Sequence, residues 1–299
     1  MAATPLITVC VCTFKRGEML EHLLRTLERQ RTDGLFTYDV VIADNDAARS
    51  AEPVVRVFAA SSSLKVTYCS EPVANIARAR NAALARATGD FVAFIDDDEF
   101  PTEGWLYSLF RTRETHGADG VLGPVLPHFR LAPPRWLSKG RFFDRPRYPT
   151  GRRLAWFEAR SGNVLFARAI LTHLDPPFRP QFATAGEDMD FFRRAIEQGR
   201  VFIWCDEAEV FEFVPPSRCT RRYLLRRAVL RGSNFPKHPT DRVKNALKSV
   251  VALPCYTVAL PVLAVVGHHV FMAYLIKVLD HASRLLAFAG LPLMTERET

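Results

Sequence analysis

None of the six cysteines in this 299-residue chain (Cys10, Cys12, Cys69, Cys205, Cys219, Cys255) stands in a C-x-x-C pair. Without such spacing a zinc framework or disulfide scaffold is not expected. The thiols read instead as small buried side chains of a reducing cytoplasm. Cys10 and Cys12 lie two apart in an apolar run, so on a strand they face the same way. The opening residues, MAATPLITVCVC, carry no basic segment before the apolar run, and no small-residue cleavage pattern follows it. They read as a first strand and not as a signal peptide. Internal repeats and low-complexity tracts are also missing, which excludes a repeat array.

What is present is a globular composition, 48% hydrophobic and 24% charged, enough for one large domain with an appendage. The net charge of +8 points to an anionic partner: nucleic acid, an acidic membrane face or a phosphorylated ligand. No nucleic-acid-binding motif accompanies that charge, so nucleic acid is not expected as a partner.

Short apolar runs alternate with helical stretches as far as residue 100. Leu6–Thr13, Tyr38–Ala43, Lys65–Tyr68 and Phe91–Ile95 read as strands, and the leucines at 20, 23, 24 and 27 share a helical face. Pro53–Phe58 and the alanine-rich Asn75–Ala87 read as helices. This alternation implies βαβ units and a parallel sheet covered on both faces. Later, Trp105–His116 and Asp188–Gln198 read as helices. Val121–Val125, Asn163–Ala167, Val201–Cys205 and Glu209–Phe213 read as strands, and 127–160 as a long loop.

The sharpest chemical signal follows the fourth strand: Asp96-Asp97-Asp98-Glu99. Ligands of open α/β sheets bind at the carboxyl ends of strands. Four consecutive acids there repel one another unless a cation neutralises them, and hard oxygen ligands suit Mg²⁺ or Mn²⁺. The alternative is an ordinary acidic loop. Glu187-Asp188 opens a helix, where capping and the helix dipole explain one carboxylate; a general base is the functional alternative. Asp44 follows the second strand, as a turn residue or as a partner for a nucleobase or ribose. Arg78 and Arg80 precede the acidic strand and are either solvated charges or diphosphate partners.

The segments TVCVCTFKR (8–16), VVIADND (40–46), EPVANIARARNAA (71–83), GDFVAFIDDDE (89–99), SGNVLFARA (161–169) and GEDMDFFRRA (186–195) resemble, in order and spacing, the family 2 glycosyltransferases. The resemblance covers roughly residues 6 to 215. It implies an inverting enzyme with the GT-A fold, an α/β Rossmann-like architecture with a mostly parallel sheet, acting on a nucleotide-diphosphate sugar. Carried over by position, Thr13 and Arg16 lie at the nucleotide, Asp44 on the base, and Arg80 near base or phosphates. Asp96 and Asp98 take the D-x-D positions around Asp97, with Asp98 the principal ligand of a divalent cation (Mn²⁺ or Mg²⁺) and Asp96 nearer the ribose. Asp188 is the implied catalytic base with Glu187 beside it, and Gly162 and Asn163 line the sugar pocket. The glycine usual after Asn75 is absent, and so is the Q-x-x-R-W box of processive members, which implies one sugar per encounter.

The expected division is a catalytic domain at 1–215, a basic helical connector at 216–245, and hydrophobic or amphipathic helices at 246–299. Arg218–Arg231 is a basic helix, and Ser249–Ile276 holds no charge if its histidines are neutral. Pro254 and Pro261 would kink a helix there. With lysines and arginines on both flanks, a re-entrant or in-plane membrane element at the cytoplasmic face is expected, ahead of a true span or a buried helix pair. The basic helix would face anionic headgroups or a lipid pyrophosphate. The expected acceptor is a lipid-linked or exopolysaccharide glycan; the alternatives are polyprenyl phosphate itself as acceptor, or a non-catalytic nucleotide-binding scaffold.

Overall fold

The computed structural model describes residues 3–182, 186–234 and 242–294. The chain runs β1 (Leu6–Thr13), α1 (Gly17–Leu27), β2 (Thr37–Asp44), α2 (Glu52–Ser61), β3 (Val66–Ser70), α3 (Ile76–Arg86) and β4 (Phe91–Ile95). It continues through β5 (Glu99–Pro101), α4 (Trp105–His116), β6 (Gly120–Leu122), β7 (Val125–His128), α5 (Arg135–Gly140) and β8 (Asn163–Ala167). Then come α6 (Glu187–Glu197), β9 (Phe202–Trp204), β10 (Val210–Phe213), α7 (Arg221–Ser233), α8 (Arg242–Val266) and α9 (His268–Phe288). Contacts group the chain into two compact units: Met1–Leu126, Arg145–Ala183 and Glu187–Glu212 form one, and Pro127–Asp144, Thr184–Gly186 and Phe213–Thr299 the other. The stretch 127–144, which the sequence reading set within 1–215, thus groups with the C-terminal helices.

The first unit holds a seven-stranded sheet of order β3-β2-β1-β4-β8-β6-β9. Strands β3, β2, β1 and β4 are parallel to their neighbours, whereas β8 runs antiparallel to both β4 and β6. The crevice rule for parallel sheets therefore applies at the carboxyl ends of β1 and β4, adjacent strands reached by crossovers in opposite directions. β1 sends Val9 and Val11 to a core shared with α1, α2 and α4, and Cys10 to a second core shared with α3 and α6. Cys12 packs against that second core too, so the two thiols do share a face, and all six cysteines are free.

The run Val121–Val125, expected as one strand, is two. Residues 120–122 stay in the large sheet, while 125–128 join a three-stranded sheet of order β5-β10-β7. Gly123-Pro124 makes the break: Pro124 cannot donate to a ladder, and a Cβ on Gly123 would meet the Ala208 carbonyl at 2.3 Å. The 127–160 stretch contains one short helix, α5.

In the second unit α7, α8 and α9 form a helical layer. Gly267 separates α8 from α9, and α8 continues through Pro254 and Pro261. α8 is the one helix among the described residues long and apolar enough to cross a membrane, with a mean hydropathy of 2.1 over its best window.

Gly89, leading into β4, has no room for a side chain, since a Cβ would lie 2.7 Å from Leu6 O, Phe91 O and Thr8 N, all backbone atoms. Gly89→Ala is therefore expected to lower stability by about 2–3 kcal/mol through forced separation of β1 and β4. Urea denaturation checks this, and an unchanged midpoint would mean the strands yield freely.

Candidate active site

β1 and β4 pair in parallel, so the loop after Thr13 and the loop after Ile95 emerge side by side. Thr13 Oγ1 donates to Asp97 Oδ2 at 2.8 Å, and Arg16 Nη1 donates to Asp97 Oδ1 at 2.7 Å. The same Arg16 nitrogen lies 3.0 Å from Asp98 Oδ2. Burial pushes the Asp97 carboxyl up to about 6, with Arg16 opposing and Asp98 adding to the rise. Glu99 is 1% exposed and accepts the Asp96 N–H at 3.1 Å through Oε2. Burial, reinforced by the Asp96 charge, holds it well above the carboxylate range. A Cβ on Gly162 would stand 2.9 Å from Glu99 Oε1 and 3.1 Å from Asp96 Oδ2, so the acids occupy the space that glycine leaves.

Arg80 joins this acidic edge to α6. The Asn75 side chain caps α3 by accepting the Arg78 N–H at 3.2 Å, and one turn on Arg80 is buried. Its Nη1 donates to Glu187 Oε1, and its Nη2 lies 3.7 Å from Asp96 Oδ1. The guanidinium sits 5.4 Å from the centre of the Phe178 ring. Asn81, the residue after Arg80, fixes that ring by bonding both the Phe178 carbonyl and the Phe178 N–H, at 2.7 and 3.0 Å. Desolvation raises Asp96 above the ordinary carboxylate range although its side chain is 49% exposed; Arg80 pulls it down and Asp98 adds to the rise.

The first turn of α6 supplies Glu187, Asp188 and Asp190. Asp190 is taken by Arg194 at 2.8 Å and Arg179 at 3.5 Å. Glu187 is taken by Arg80, and burial raises its carboxyl with Arg80 opposing and Asp188 adding. Asp188 is half-buried, its Oδ1 accepting the Met189 N–H at 2.7 Å. Its charge raises the pKa of Arg80, Asp96 and Glu187 alike. Of the three acids it is the one without an arginine partner among the ion pairs of the described residues.

Three of the expected ligand residues have their polar atoms bonded within the protein. Asp44 is 0% exposed, its Oδ1 accepting Asp46 N–H at 3.1 Å and its Oδ2 accepting Ala51 N–H and Tyr68 O–H at 2.8 and 3.1 Å. That is the turn role of an aspartate, closing the link from β2 to α2. Thr13 is likewise buried, and its hydroxyl donates to Asp97. Asn163 is buried at the start of β8. It accepts from the Trp105 indole at 2.8 Å and donates to the Pro124 and Ala208 carbonyls at 3.0 and 2.8 Å, so it braces β8 against α4. Arg16 has a side chain 41% exposed.

Sequence reasoning passed over Phe178, Asn81 and Arg145. Asn81 lay inside the quoted A-R-N triplet, and its spacing from Arg80 was a usable signal. Arg145 carried none: it pairs with Glu212, whose strand partner across β5 is Glu99, and its charge lowers the pKa of Asp96 and Glu99.

Among the described residues no three His, Cys, Asp or Glu side chains form a ready metal cage. Asp97 and Glu99 are the more deeply committed of the four acids, while Asp98 pairs with Arg16 through Oδ2 and Asp96, with a side chain 49% exposed, lies 3.7 Å from Arg80. If a Mg²⁺- or Mn²⁺-type ion binds here, Asp96 and Asp98 are the carboxylates that would hold it, with its remaining ligands from water and phosphate.

A model of the family described as "Glycosyl transferase family 2" matches residues 8–172. The chain is 36% identical over 226 residues to the succinoglycan biosynthesis protein ExoM of Rhizobium meliloti, covering 74% of this chain and 71% of that protein. Among solved structures, S. aureus TarS 1–349 in complex with UDP aligns with a TM-score of 0.52 at 22% identity, over 75% of this chain and 64% of that one. The TarS complex with UDP-GlcNAc gives a TM-score of 0.53 at 19% identity, over 75% and 65%. This chain thus spans a little under two thirds of the TarS chains, and at these identities the likeness is one of fold.

Asn163→Ala would leave the Trp105 N–H and the Ala208 carbonyl unpaired in the core, the Pro124 carbonyl keeping the Val210 N–H. A loss of about 3 kcal/mol is expected, with turnover per folded molecule unchanged. Chemical denaturation beside steady-state kinetics checks it; intact stability with a raised donor KM would assign Asn163 to the sugar pocket.

Proposed function

Since the chain belongs to glycosyl transferase family 2, we propose that it moves a sugar from a nucleotide-diphosphate donor to a hydroxyl of a lipid-linked or exopolysaccharide glycan, with inversion, at the cytoplasmic face of a membrane. The observation that carries this reading is the Arg80 bridge: a buried cation joins the acidic edge at Asp96 to the helix start that presents Asp188. The name of the Rhizobium relative and the ligands of the TarS complexes support the acceptor and donor classes. The long apolar α8 supports the membrane setting.

The chemistry follows from the residues. Asp188 takes the proton from the acceptor hydroxyl as its oxygen attacks the anomeric carbon. The bond from that carbon to the diphosphate oxygen breaks, and the nucleoside diphosphate leaves as an anion, so no catalytic acid is needed on the leaving side. Arg80 and Arg16 offset the charge that develops there. Glu187 keeps Arg80 in place, and Thr13 with Arg16 keeps Asp97 behind the acidic edge. A divalent cation held by Asp96 and Asp98 would supply further neutralisation of the departing diphosphate when bound.

The test is a panel of nucleotide sugars incubated with Mn²⁺, with and without chelator, for wild type and Asp188→Asn. Expected are transfer or slow hydrolysis of one donor, loss on chelation, and a fall in kcat of about 10²–10⁴ for Asp188→Asn with nucleotide affinity retained by calorimetry. Full activity in Asp188→Asn would remove the base assignment, and turnover indifferent to chelator would remove the metal.

A further inference from the structure

α8 carries its amphipathicity inverted. Its polar contacts face inward: Ser249 Oγ meets His281 Nδ1 at 2.9 Å, and the Tyr256 ring meets Tyr274 at 5.4 Å, which sets α8 antiparallel to α9. The opposite face carries Val243, Leu247, Val251, Val258, Val262 and Val265, all at least 60% exposed. Only 6% of the most apolar stretch is buried. An exposed apolar face of this extent marks an interaction surface.

The neighbours of α9 decide how that face can meet lipid. Arg221, at the start of α7, donates from Nε to His268 Nε2 at 2.8 Å, at the turn between α8 and α9. Ten residues on, Arg231 Nε meets Asp280 Oδ1 at 2.8 Å. α7 thus runs parallel to α9 along its length, with Gly232 packed so closely that a Cβ would stand 2.1 Å from Ser283 Oγ. Trp136 of α5 also packs at the turn, its ring 5.5 Å from that of His268. A span would need about 30 Å free of charge. In this layer Arg221 lies at the level of His268, and Lys277, held over the Tyr256 and Tyr274 rings at 5.3 and 4.6 Å, lies nine residues further. Nine residues of helix give about 14 Å. Crossing the bilayer would carry arginines of α7 into hydrocarbon, where a charged side chain is strongly disfavoured.

We propose that α8 lies in the plane of an anionic membrane, its valine face sunk into the headgroup and acyl boundary, and does not cross the bilayer. Lys244, Lys248 and Lys277 lie on or beside it, charge complementary to acidic lipids and of the length that reaches headgroups. The inference rests on the membrane setting proposed above and adds the geometry.

The test uses the full chain with Cys255→Ser, carrying one further substitution in turn: Val251→Cys, Val258→Cys or Val265→Cys, each labelled with a fluorescent maleimide. These positions share the exposed face and span about 21 Å along the axis. Flotation with phosphatidylglycerol-containing vesicles, then quenching by nitroxides at defined lipid depths, reads their positions. Expected is flotation with anionic but not zwitterionic vesicles, and one shared depth of about 5–10 Å below the headgroups for all three labels. A graded series of depths would establish a span and overturn the inference while leaving the membrane setting intact. No flotation would overturn both, and labels shielded by a second copy of the chain in sedimentation would assign the face to self-association.

Discussion

A guanidinium removed from water must be matched by anions, and at Arg80 the matching anions come from two separate parts of the chain. Glu187 arrives from the start of α6 and Asp96 from the end of β4, while Phe178 covers the planar face of the group. Leaving either the cation or Glu187 alone would strand a buried charge, so α3, the acidic loop and α6 are held to one arrangement. Asn81 and Asn75 serve the same end from α3, one by fixing Phe178 and the other by capping the helix and bonding the Pro180 carbonyl at 3.0 Å. What remains least committed at this junction is Asp188 and the exposed half of Asp96, the groups to which the proposed function gives the base and cation-binding roles.

The first hundred residues were legible because buried parallel strands are continuous apolar runs and their helices carry leucine or alanine faces. The antiparallel reversal at β8 was not, since strand direction depends on pairing between residues far apart in sequence. The division of Val121–Val125 followed from Gly123 and Pro124, whose positional meaning outweighs the apolar pattern around them. At the site, the acid run and the Glu187-Asp188 pair announced themselves by location at a strand end and a helix start. Asp44, Thr13 and Asn163 share one feature that the sequence does not carry. Motif position says that a polar residue lies near the crevice, but not whether its oxygens and nitrogens are already occupied by the protein.

The helical layer shows a similar limit. Composition reveals that 249–276 is apolar and that 218–231 is basic. It does not reveal that α7 lies along α9, nor that the apolar face of α8 is the outward one. Those two facts together set how much uncharged length is available, and length is what separates a helix that crosses a bilayer from one that rests in it.

The central claim is that the Arg80–Glu187 pair builds the site instead of merely stabilising the fold. The direct measurement is unfolding free energy and sugar transfer for Arg80→Met, Glu187→Leu and the double variant. Each single change is expected to cost about 3–5 kcal/mol, with the double recovering most of that loss yet transferring no sugar. A double variant that still transfers sugar, or one whose stability losses simply add, would contradict it.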